Sequence, residues 1–350
     1  MKAVISERYG PPSVLRIEDV EKPVPKDGEV LVKVRAASLN RVDWILMTGK
    51  PAVVRLMGGG FWHPKNRIPG GDVSGVVEAV GAGVTRFEPG DEVFGNLKSS
   101  GRGAYAEYVC GREDAFVLKP QNVSFEEAAS VPTAGLTALI GMREKGGIRA
   151  GQKVLVHGAS GGVGSFALQI AKALGAEVTA VCSTKHVDAA RSMGADRVID
   201  YTKEDFAQSG DRYDLIIGAN GNRSIFTYRE CLKPNGTYVM LGGRRKQVSQ
   251  AFLLGRMLSR KNGKKLTFLG AWDVRASDLE LLGEMLESRK IVPVIDHRYA
   301  LNQIQEAMRY LGEFHAGGKV VISVKEEALN DPSGLSTNTN NEISDRGWTG

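Results

Sequence analysis

Three regularly spaced glycines are the sequence feature with the clearest chemical meaning. Gly158, Gly161 and Gly164 follow a G-x-x-G-x-x-G pattern that begins directly at the end of the apolar run KVLVHG. Glycines at such positions allow a tight turn and a close approach of the backbone to a pyrophosphate. A helix is predicted to begin near Gly162, and its free N–H groups and positive dipole end would face the phosphates. The pattern predicts a dinucleotide-binding turn, and a glycine-rich connection without a ligand is the alternative. The residues assigned to this turn are Ser160, Gly161, Gly162, Val163 and Gly164.

The residues after the next apolar run indicate which nucleotide would bind. EVTAVC is followed by Ser183, Thr184 and Lys185, and no Asp or Glu stands there. An NAD site usually carries a carboxylate at this place, which binds the ribose hydroxyls. Hydroxyl groups and a cation suit the 2′-phosphate of NADPH instead. We therefore expect NADPH (NADP) as the cofactor, bound by Ser183 and Lys185, and an ordinary surface lysine is the alternative for Lys185.

Two kinds of hydrophobic pattern divide the chain. Residues 1–124 contain many short runs rich in Val and Ile, separated by Pro and Gly, and predict a compact, barrel-like β-domain. Helical spacing begins at Ser124, where Glu127 completes a capping-box pattern, and strands then alternate with helices. This alternation predicts an α/β fold with a parallel sheet and crossover helices. The runs YDLIIGA and GTYVMLGG lack polar alternation, as expected of strands that are buried on both faces.

Composition and charge exclude several classes of protein. The 350 residues are 42% hydrophobic and 25% charged, as in an ordinary globular enzyme. Three cysteines without a CxxC pair argue against a disulfide framework and a structural zinc site. The sequence has no run that could span a membrane and no secretory signal, so we expect a cytoplasmic protein. The net charge of +6 arises in the segment 244–265, which has eight Lys or Arg and no acidic residue. This segment is interpreted as a solvated basic helix or loop that could form a lid, with an anion-attracting or nucleic-acid-binding surface as the alternative.

Further motifs occur in a fixed order along the chain. They are AASLN with Asp43, PGGDVSG at 69–75, FEPGDEV at 87–93, AGLTA at 134–138, the glycine turn, LGG at 241–243 and GKVV at 318–321. Over residues 1–325 they resemble the medium-chain dehydrogenase/reductase superfamily, and its zinc-independent quinone-oxidoreductase-like branch most of all. The resemblance implies a chaperonin-10-like catalytic domain from residues 1–124 and 293–325. A Rossmann NADP-binding domain, residues 125–292, is inserted into it. We expect the polar tail at 326–350 to be disordered.

The same resemblance allows the metal sites of the superfamily to be checked. Zinc-dependent relatives carry Cys where this chain has Asn40, and His-Glu where it has Gly71-Asp72. They also carry a four-cysteine lobe beyond Gly95, where this chain has one cysteine. Since zinc requires about four N, S or O ligands in tetrahedral reach, we expect no bound metal. His63 is interpreted as a loop or cleft-lining residue, and His157 as a core residue.

Missing zinc ligands favour a particular class of acceptor. Reduction of a simple carbonyl leaves charge on its oxygen, which zinc stabilises as a Lewis acid. Quinones and α,β-unsaturated carbonyls delocalise that charge themselves. The sequence and the resemblance therefore predict an NADPH-dependent quinone or enone reductase. Two alternatives stay open: a metal-free NADP-dependent alcohol dehydrogenase, and a non-enzymatic NADPH-sensing or RNA-binding protein.

The resemblance also implies catalytic and cofactor-binding residues. Asn40 is expected to bind the cofactor amide or to polarise the acceptor carbonyl, and Asp43 to orient a water or a ribose hydroxyl. A helix-capping pair is the alternative for both. The other cofactor-binding residues implied are Thr133, Thr137, Tyr201, Leu241, Gly242, Gly243, Phe268, Gly270 and Lys319. A core position is the alternative for Tyr201. A homodimer through the strand KKLTFLGAW is implied as well, and the loop VVRLMGGGFWHPKNR is expected to shape the substrate pocket.

Overall fold

The computed structural model describes residues 1–55, 60–243, 263–270, 272–313 and 316–324. Most of the basic segment (244–262), the predicted tail (326–350) and part of the predicted substrate loop (56–59) lie outside the described residues. Within the described ranges, no helix combines the length and the apolar character that crossing a membrane requires.

Short apolar runs form the strands of the first half of the chain. These strands are β1 (Lys2–Ile5), β2 (Arg16–Asp19), β3 (Glu29–Leu39), β4 (Asp72–Val80), β5 (Glu92–Asn96), β6 (Tyr108–Arg112) and β7 (Phe116–Leu118). Helix α1 (Arg41–Thr48) follows β3 and ends at Gly49, which has a left-handed φ of 60°. β3 pairs antiparallel with β4 and β6, β4 pairs with β5, and β5 pairs with β7. β1 and β2 pair separately.

The second half alternates helices and strands, as the sequence predicts. Its elements are α2 (Phe125–Ala129), α3 (Pro132–Ile140), β8 (Lys153–His157), α4 (Gly162–Ala173), β9 (Glu177–Cys182), α5 (Val187–Ser192), β10 (Arg197–Asp200), β11 (Tyr213–Gly218), α6 (Ile225–Glu230), β12 (Leu232–Met240), β13 (Lys265–Phe268) and α7 (Ala276–Glu287). The six strands are parallel in the order β10-β9-β8-β11-β12-β13. In sequence order this is 3-2-1-4-5-6, the arrangement of the Rossmann fold. Val154, Leu155 and Val156 of β8 are fully buried, as in a sheet covered on both faces.

The chain then returns to the first sheet through β14 (Ile295–Ala300), α8 (Ile304–Gly312) and β15 (Lys319–Ser323). β15 pairs antiparallel with β3, and β14 pairs parallel with β15. Strands that precede the parallel sheet in the sequence (β3–β7) and strands that follow it (β14 and β15) therefore build one sheet, which confirms the predicted fold class. The exact domain boundaries stay a prediction. Helix α2, just beyond the first predicted boundary, packs against β3, β4 and β15.

The helical region predicted from Ser124 is divided in the structure. Its capping box is present, because Ser124 Oγ accepts from the Glu127 N–H and the Glu127 carboxylate accepts from the Ser124 N–H. The first helix nevertheless ends at Ala129, and α3 begins at Pro132. Proline has no N–H for the preceding turn and is favoured at a helix start, which accounts for the break. Helix α6 was not predicted, since its six residues are too few for a helical period to stand out.

Candidate functional site

The glycine turn lies where the strand order of the parallel sheet reverses. β8 has β9 on one side and β11 on the other, and ligands of such sheets bind in the crevice at this point. Gly158 has a φ of +85°, which only glycine adopts readily. A Cβ on Gly164 would lie 1.9 Å from Gly158 O, so the helix approaches the strand end too closely for any side chain. A Cβ on Gly161, in contrast, has no neighbour nearer than 3.7 Å. The turn is therefore packed against the strand end at Gly164 and has free space at Gly161.

Helix α4 begins in this turn, and its N-terminus has the features of an anion-binding site. Its N-cap is Gly161, which has no side chain that could accept a hydrogen bond from the first turn. The N–H groups of that turn and the positive dipole end therefore stay available to phosphate oxygens. The backbone of the turn therefore fits a pyrophosphate, because its N–H groups have no side-chain cap.

Most of the predicted cofactor residues, but not Thr133, Thr137 and Lys319, lie at the carboxyl ends of the parallel strands. They are residues 160–164 after β8, Ser183 and Lys185 after β9, Tyr201 after β10, 241–243 after β12, and Phe268 and Gly270 at and after the end of β13. Carboxyl ends of parallel strands share one edge of a sheet, so the fold gathers these residues along the crevice. The Leu241 and Gly242 N–H groups both donate to Gly218 O, which ties the end of β12 to the end of β11.

Several polar side chains along this edge have no partner in the protein. The side chains of Ser160, Ser183, Lys185 and Tyr201 make no hydrogen bond or ion pair with any other described residue. Tyr201 is 52% exposed, so the core interpretation of this residue was wrong. Thr184 differs from its neighbours, because its hydroxyl lies 2.6 Å from a carboxylate oxygen of Asp200. A groove with unpaired hydroxyl groups and a cation can accept a polar anionic ligand.

A second group of predicted residues surrounds a buried carboxylate, Asp72. Its Oδ1 accepts from Asn96 Nδ2 at 2.8 Å and from the Thr133 hydroxyl at 2.7 Å. The Thr133 N–H lies 3.1 Å from both carboxylate oxygens. Its Oδ2 accepts from Asn40 Nδ2 at 2.9 Å and from Ser38 Oγ at 3.3 Å. Asp72 thus joins the start of β4 to the ends of β3 and β5 and to the first turn of α3.

Lys319 supplies the positive charge of this network. Its Nζ lies 3.7 Å from Asp72 Oδ2 and donates a hydrogen bond to Asn40 Oδ1. The residue is 3% exposed, and burial lowers the pKa of Lys319, opposed by the charges of Asp72 and Asp43. Its aliphatic stem passes 3.1 Å from the position of a Cβ on Gly162. The predicted cofactor residue Lys319 therefore connects the glycine turn to Asn40.

The two predicted catalytic residues, Asn40 and Asp43, occupy different environments. Asp43 caps helix α1, because its carboxylate accepts from the Asn40 N–H at 2.8 Å, and it pairs with Arg102 at 2.9 Å. Burial raises the pKa of Asp43, and Arg102 opposes the shift. These contacts show the helix-capping role for Asp43. Both N–H groups of Asn40 Nδ2 have protein partners, and the contact with Ser38 O, at 3.5 Å, is the weaker of the two.

Some residues of the network were not assigned by sequence reasoning. Asp72, Asn96 and Ser38 had no predicted role, although Asp72 belongs to a motif that carries the resemblance. One signal was present: Asp72 is a lone carboxylate at the start of an apolar strand, and buried carboxylates need partners. Thr137 does not reach the network, since its hydroxyl donates to Thr133 O one helical turn earlier.

The network does not have the composition of a zinc site. In the described ranges, no group of three or more His, Cys, Asp or Glu side chains lies close enough together to hold a metal ion. Asn40 and Asp72, which the resemblance places where zinc-dependent relatives carry metal ligands, both contact the Lys319 ammonium group. A second cation beside Lys319 would meet charge repulsion. His63 is exposed in its loop.

The predicted core position of His157, the last residue of β8, is confirmed. The residue is 5% exposed, its Nδ1 lies 2.8 Å from the Tyr228 hydroxyl, and its ring packs edge-on against Phe206. Burial lowers the pKa of His157 from 6.5 to about 4. The imidazole is therefore neutral in the folded protein at neutral pH.

Acid is expected to destabilise the protein through this histidine. Between pH 6.5 and about 4, His157 takes up a proton in the unfolded chain but not in the folded one. The free energy of unfolding should fall as the pH falls through this window, by about 3 kcal/mol at its lower end. Urea titrations of the wild type and of His157→Asn from pH 7 to pH 4 measure this effect. Equal slopes for both proteins would contradict it.

A doubly wound sheet with this glycine turn, inserted in the sequence between the strands of a second sheet, is the architecture of a pyridine-nucleotide-dependent oxidoreductase. The chain belongs to the medium-chain dehydrogenase/reductase superfamily, in its quinone-oxidoreductase-like branch. Residues 26–121 match the alcohol dehydrogenase GroES-like domain, and residues 193–322 match the zinc-binding dehydrogenase family.

Named relatives support this assignment over nearly the whole chain. A 2-methylene-furan-3-one reductase of Solanum lycopersicum is 35% identical over 92% of this chain and 79% of its own length. An NADPH-dependent alkenal/one oxidoreductase, chloroplastic, of Arabidopsis thaliana is 34% identical over 92% of this chain and 79% of its own length. The solved structure of the quinone oxidoreductase from Coxiella burnetii is 30% identical, covers 93% of this chain and 99% of its own, and superposes with a TM-score of 0.81.

Proposed function

We propose that this chain reduces quinones or α,β-unsaturated carbonyls with NADPH as the hydride donor. The observation that carries the proposal is the contact between the two parts of the site. The stem of Lys319 lies against Gly162 of the phosphate turn, while its ammonium group holds the Asn40 side chain. A bound dinucleotide would therefore lie beside an oriented amide. Bound NADPH would supply the hydride, and the turn at 160–164 would hold its pyrophosphate.

The chain's own residues would orient and polarise the acceptor. Asp72 and Lys319 fix the Asn40 side chain from both of its polar ends. The Asn40 N–H that makes the long, 3.5 Å contact with Ser38 O would be shared with an acceptor carbonyl, and a preorganised donor of this kind stabilises developing negative charge on oxygen. Asp43 contributes by capping the helix that begins beside Asn40. We assign no proton donor among the described residues, and solvent can supply the proton to an enolate or phenolate.

A turnover screen over acceptor classes tests this function. The purified protein is given NADPH with quinones, enones and simple saturated ketones, and NADPH oxidation is followed at matched concentrations. Quinones or enones should be reduced and saturated ketones should not, with and without a chelator. Turnover of saturated ketones alone, or oxidation of secondary alcohols with NADP as the main activity, would overturn the proposal in favour of the alcohol dehydrogenase alternative.

Cofactor selectivity is expected to depend on Ser183 and Lys185. A hydrogen bond to a charged group is worth roughly 1.5–3 kcal/mol, so loss of the 2′-phosphate contact should weaken NADPH about ten- to a hundredfold. Ser183→Asp should weaken NADPH to this degree and affect NADH much less, since NADH has no phosphate to repel. Lys185→Ala should have a smaller effect that is larger at low salt. Dissociation constants for both cofactors, by calorimetry, measure this. Equal weakening of both cofactors in Ser183→Asp would place the phosphate elsewhere.

A homodimer is the expected assembly. β13 is the edge strand of the parallel sheet among the described residues, so it can pair with a second copy. Light scattering at micromolar concentration should give twice the mass of 37.7 kDa, and a monomeric mass would contradict the expectation. The compartment stays a prediction, because the Arabidopsis relative is named as chloroplastic.

A further inference from the structure

A carboxylate stands beside the residues that are proposed to bind the 2′-phosphate. Asp200 is the last residue of β10 and pairs in register with Cys182, the last residue of β9. Ser183 and Tyr201 are therefore the next residues on two adjacent strands, with Asp200 beside them. The Asp200 residue is 8% exposed.

Asp200 accepts hydrogen bonds from two hydroxyl groups next to the proposed phosphate site, which consists of Ser183, Lys185 and Tyr201. Its Oδ2 lies 2.6 Å from Thr184 Oγ1, and its Oδ1 lies 2.7 Å from Thr202 Oγ1 and 3.0 Å from the Thr202 N–H. Lys203 Nζ lies 3.8 Å from Oδ2. The hydrogen bond from Thr184, followed by those from Thr202, lowers the pKa of Asp200, so the group is ionised at neutral pH.

The polar groups at the proposed phosphate site therefore form two sets. Ser183, Lys185 and Tyr201 have no partner among the described side chains and are available to a phosphate. The Thr184 and Thr202 hydroxyl groups are engaged by Asp200 instead. A phosphate monoester carries about −1.5 to −2 charges at pH 7 and needs such donors. Asp200 therefore opposes the phosphate in two ways, by its charge and by its hold on two donors.

We propose that Asp200 is a specificity-determining residue that limits the preference of this protein for NADPH over NADH. The proposal rests on the proposed function, because it requires the 2′-phosphate to bind at Ser183 and Lys185. The difference between the NADPH and NADH affinities is therefore smaller than the Ser183 and Lys185 contacts alone would give, since NADH has no phosphate for Asp200 to repel.

The test is the pair of dissociation constants for NADPH and NADH in Asp200→Asn, measured by calorimetry at low salt. Asparagine keeps an oxygen that can accept the Thr202 N–H, so the local turn is retained while the charge is removed. NADPH should bind about three- to tenfold more tightly and NADH within twofold of wild type, and the gain should shrink at high salt. Asp211→Asn makes the same change in net charge. Asp211 precedes β11 at the amino-terminal end of the parallel strands, where it pairs with Arg197, and this control should leave both constants unchanged.

The outcomes distinguish a failure of the proposed role of Asp200 from a failure of the proposed phosphate site. An unchanged ratio of the two constants, tighter binding of both cofactors, or weaker NADPH in Asp200→Asn would overturn the inference. If Asp200→Asn is not folded by its thermal melt, Asp200→Ser provides the same test, since serine also forms a short turn to the backbone. Lys185→Ala in the same series tests the pocket. If it weakens NADPH while the Asp200 variants change nothing, the phosphate site stands and only the inference fails. If it too has no effect, the phosphate site itself fails.

Discussion

Replacing Asp72 with alanine is expected to lower the free energy of unfolding by about 3–5 kcal/mol. The substitution leaves the Lys319 ammonium group, which is 3% exposed, without its nearest counter-charge. It also removes the acceptor shared by Asn40, Asn96 and Thr133. Buried donors without a partner add their own desolvation penalty. Urea unfolding followed by circular dichroism measures the change.

Charge-balanced variants show whether the effect comes from the ion pair. Asp72→Ala combined with Lys319→Met removes both charges and should regain much of the lost stability, because no isolated charge stays buried. Asp72→Asn should lie between the wild type and Asp72→Ala, since an amide keeps one acceptor oxygen. A loss below about 1 kcal/mol for Asp72→Ala would show that water reaches Lys319 and that the network is not closed.

Gly164→Ala is expected to be the most damaging small substitution in the glycine turn. The new Cβ would lie 1.9 Å from Gly158 O, and a backbone carbonyl cannot rotate away as a side chain can. Overpacking usually costs 1–3 kcal/mol, and we expect about 3 kcal/mol here, with NADPH binding lost because the turn must move. Thermal melts and calorimetry with NADPH report the two effects separately.

Gly161→Ala is the matched control for this prediction. Its Cβ would have no neighbour nearer than 3.7 Å, so the variant should melt close to wild type. Because Gly161 is the N-cap of the helix whose first turn is proposed to hold the pyrophosphate, NADPH should nevertheless bind more weakly. Two variants with equal stability would show that helix α4 does not pack against Gly158 as described. Unchanged NADPH affinity in Gly161→Ala would place the pyrophosphate elsewhere.

The glycine turn could be predicted from the sequence because its signals are local. The three glycines, the apolar strand before them and the helix after them fall within about twenty residues. Strand–helix alternation likewise identifies a parallel sheet, and the Rossmann strand order follows the usual rules of such folds. Ser183 and Lys185 could be assigned because they follow the second apolar run, where no carboxylate stands. Their lack of protein partners adds an observation that only the coordinates provide.

The Asp72 network could not be predicted because its members are distant in sequence. Asn40, Asp72 and Lys319 meet only after β3, β4 and β15 have paired, and no short-range pattern indicates that pairing. Sequence reasoning assigned roles to Asn40 and Lys319 one at a time and therefore missed the carboxylate between them. The capping role of Asp43 was visible as an alternative, since Asn40 and Asp43 have the spacing of a helix start.

The pairing of β15 with β3 has a consequence for synthesis on the ribosome. Residues 36–39 of β3 pair with residues 320–323, so one partner emerges long after the other. At roughly 5–20 residues per second, translation separates the two by about 15–60 s. During this interval the nascent chain exposes an unpaired strand edge. The negative charge of Asp72 also lacks its partner, because Lys319 has not yet been synthesised. The N-terminal sheet is therefore completed only after the nucleotide-binding sheet has emerged, and the nascent chain is open to aggregation until then.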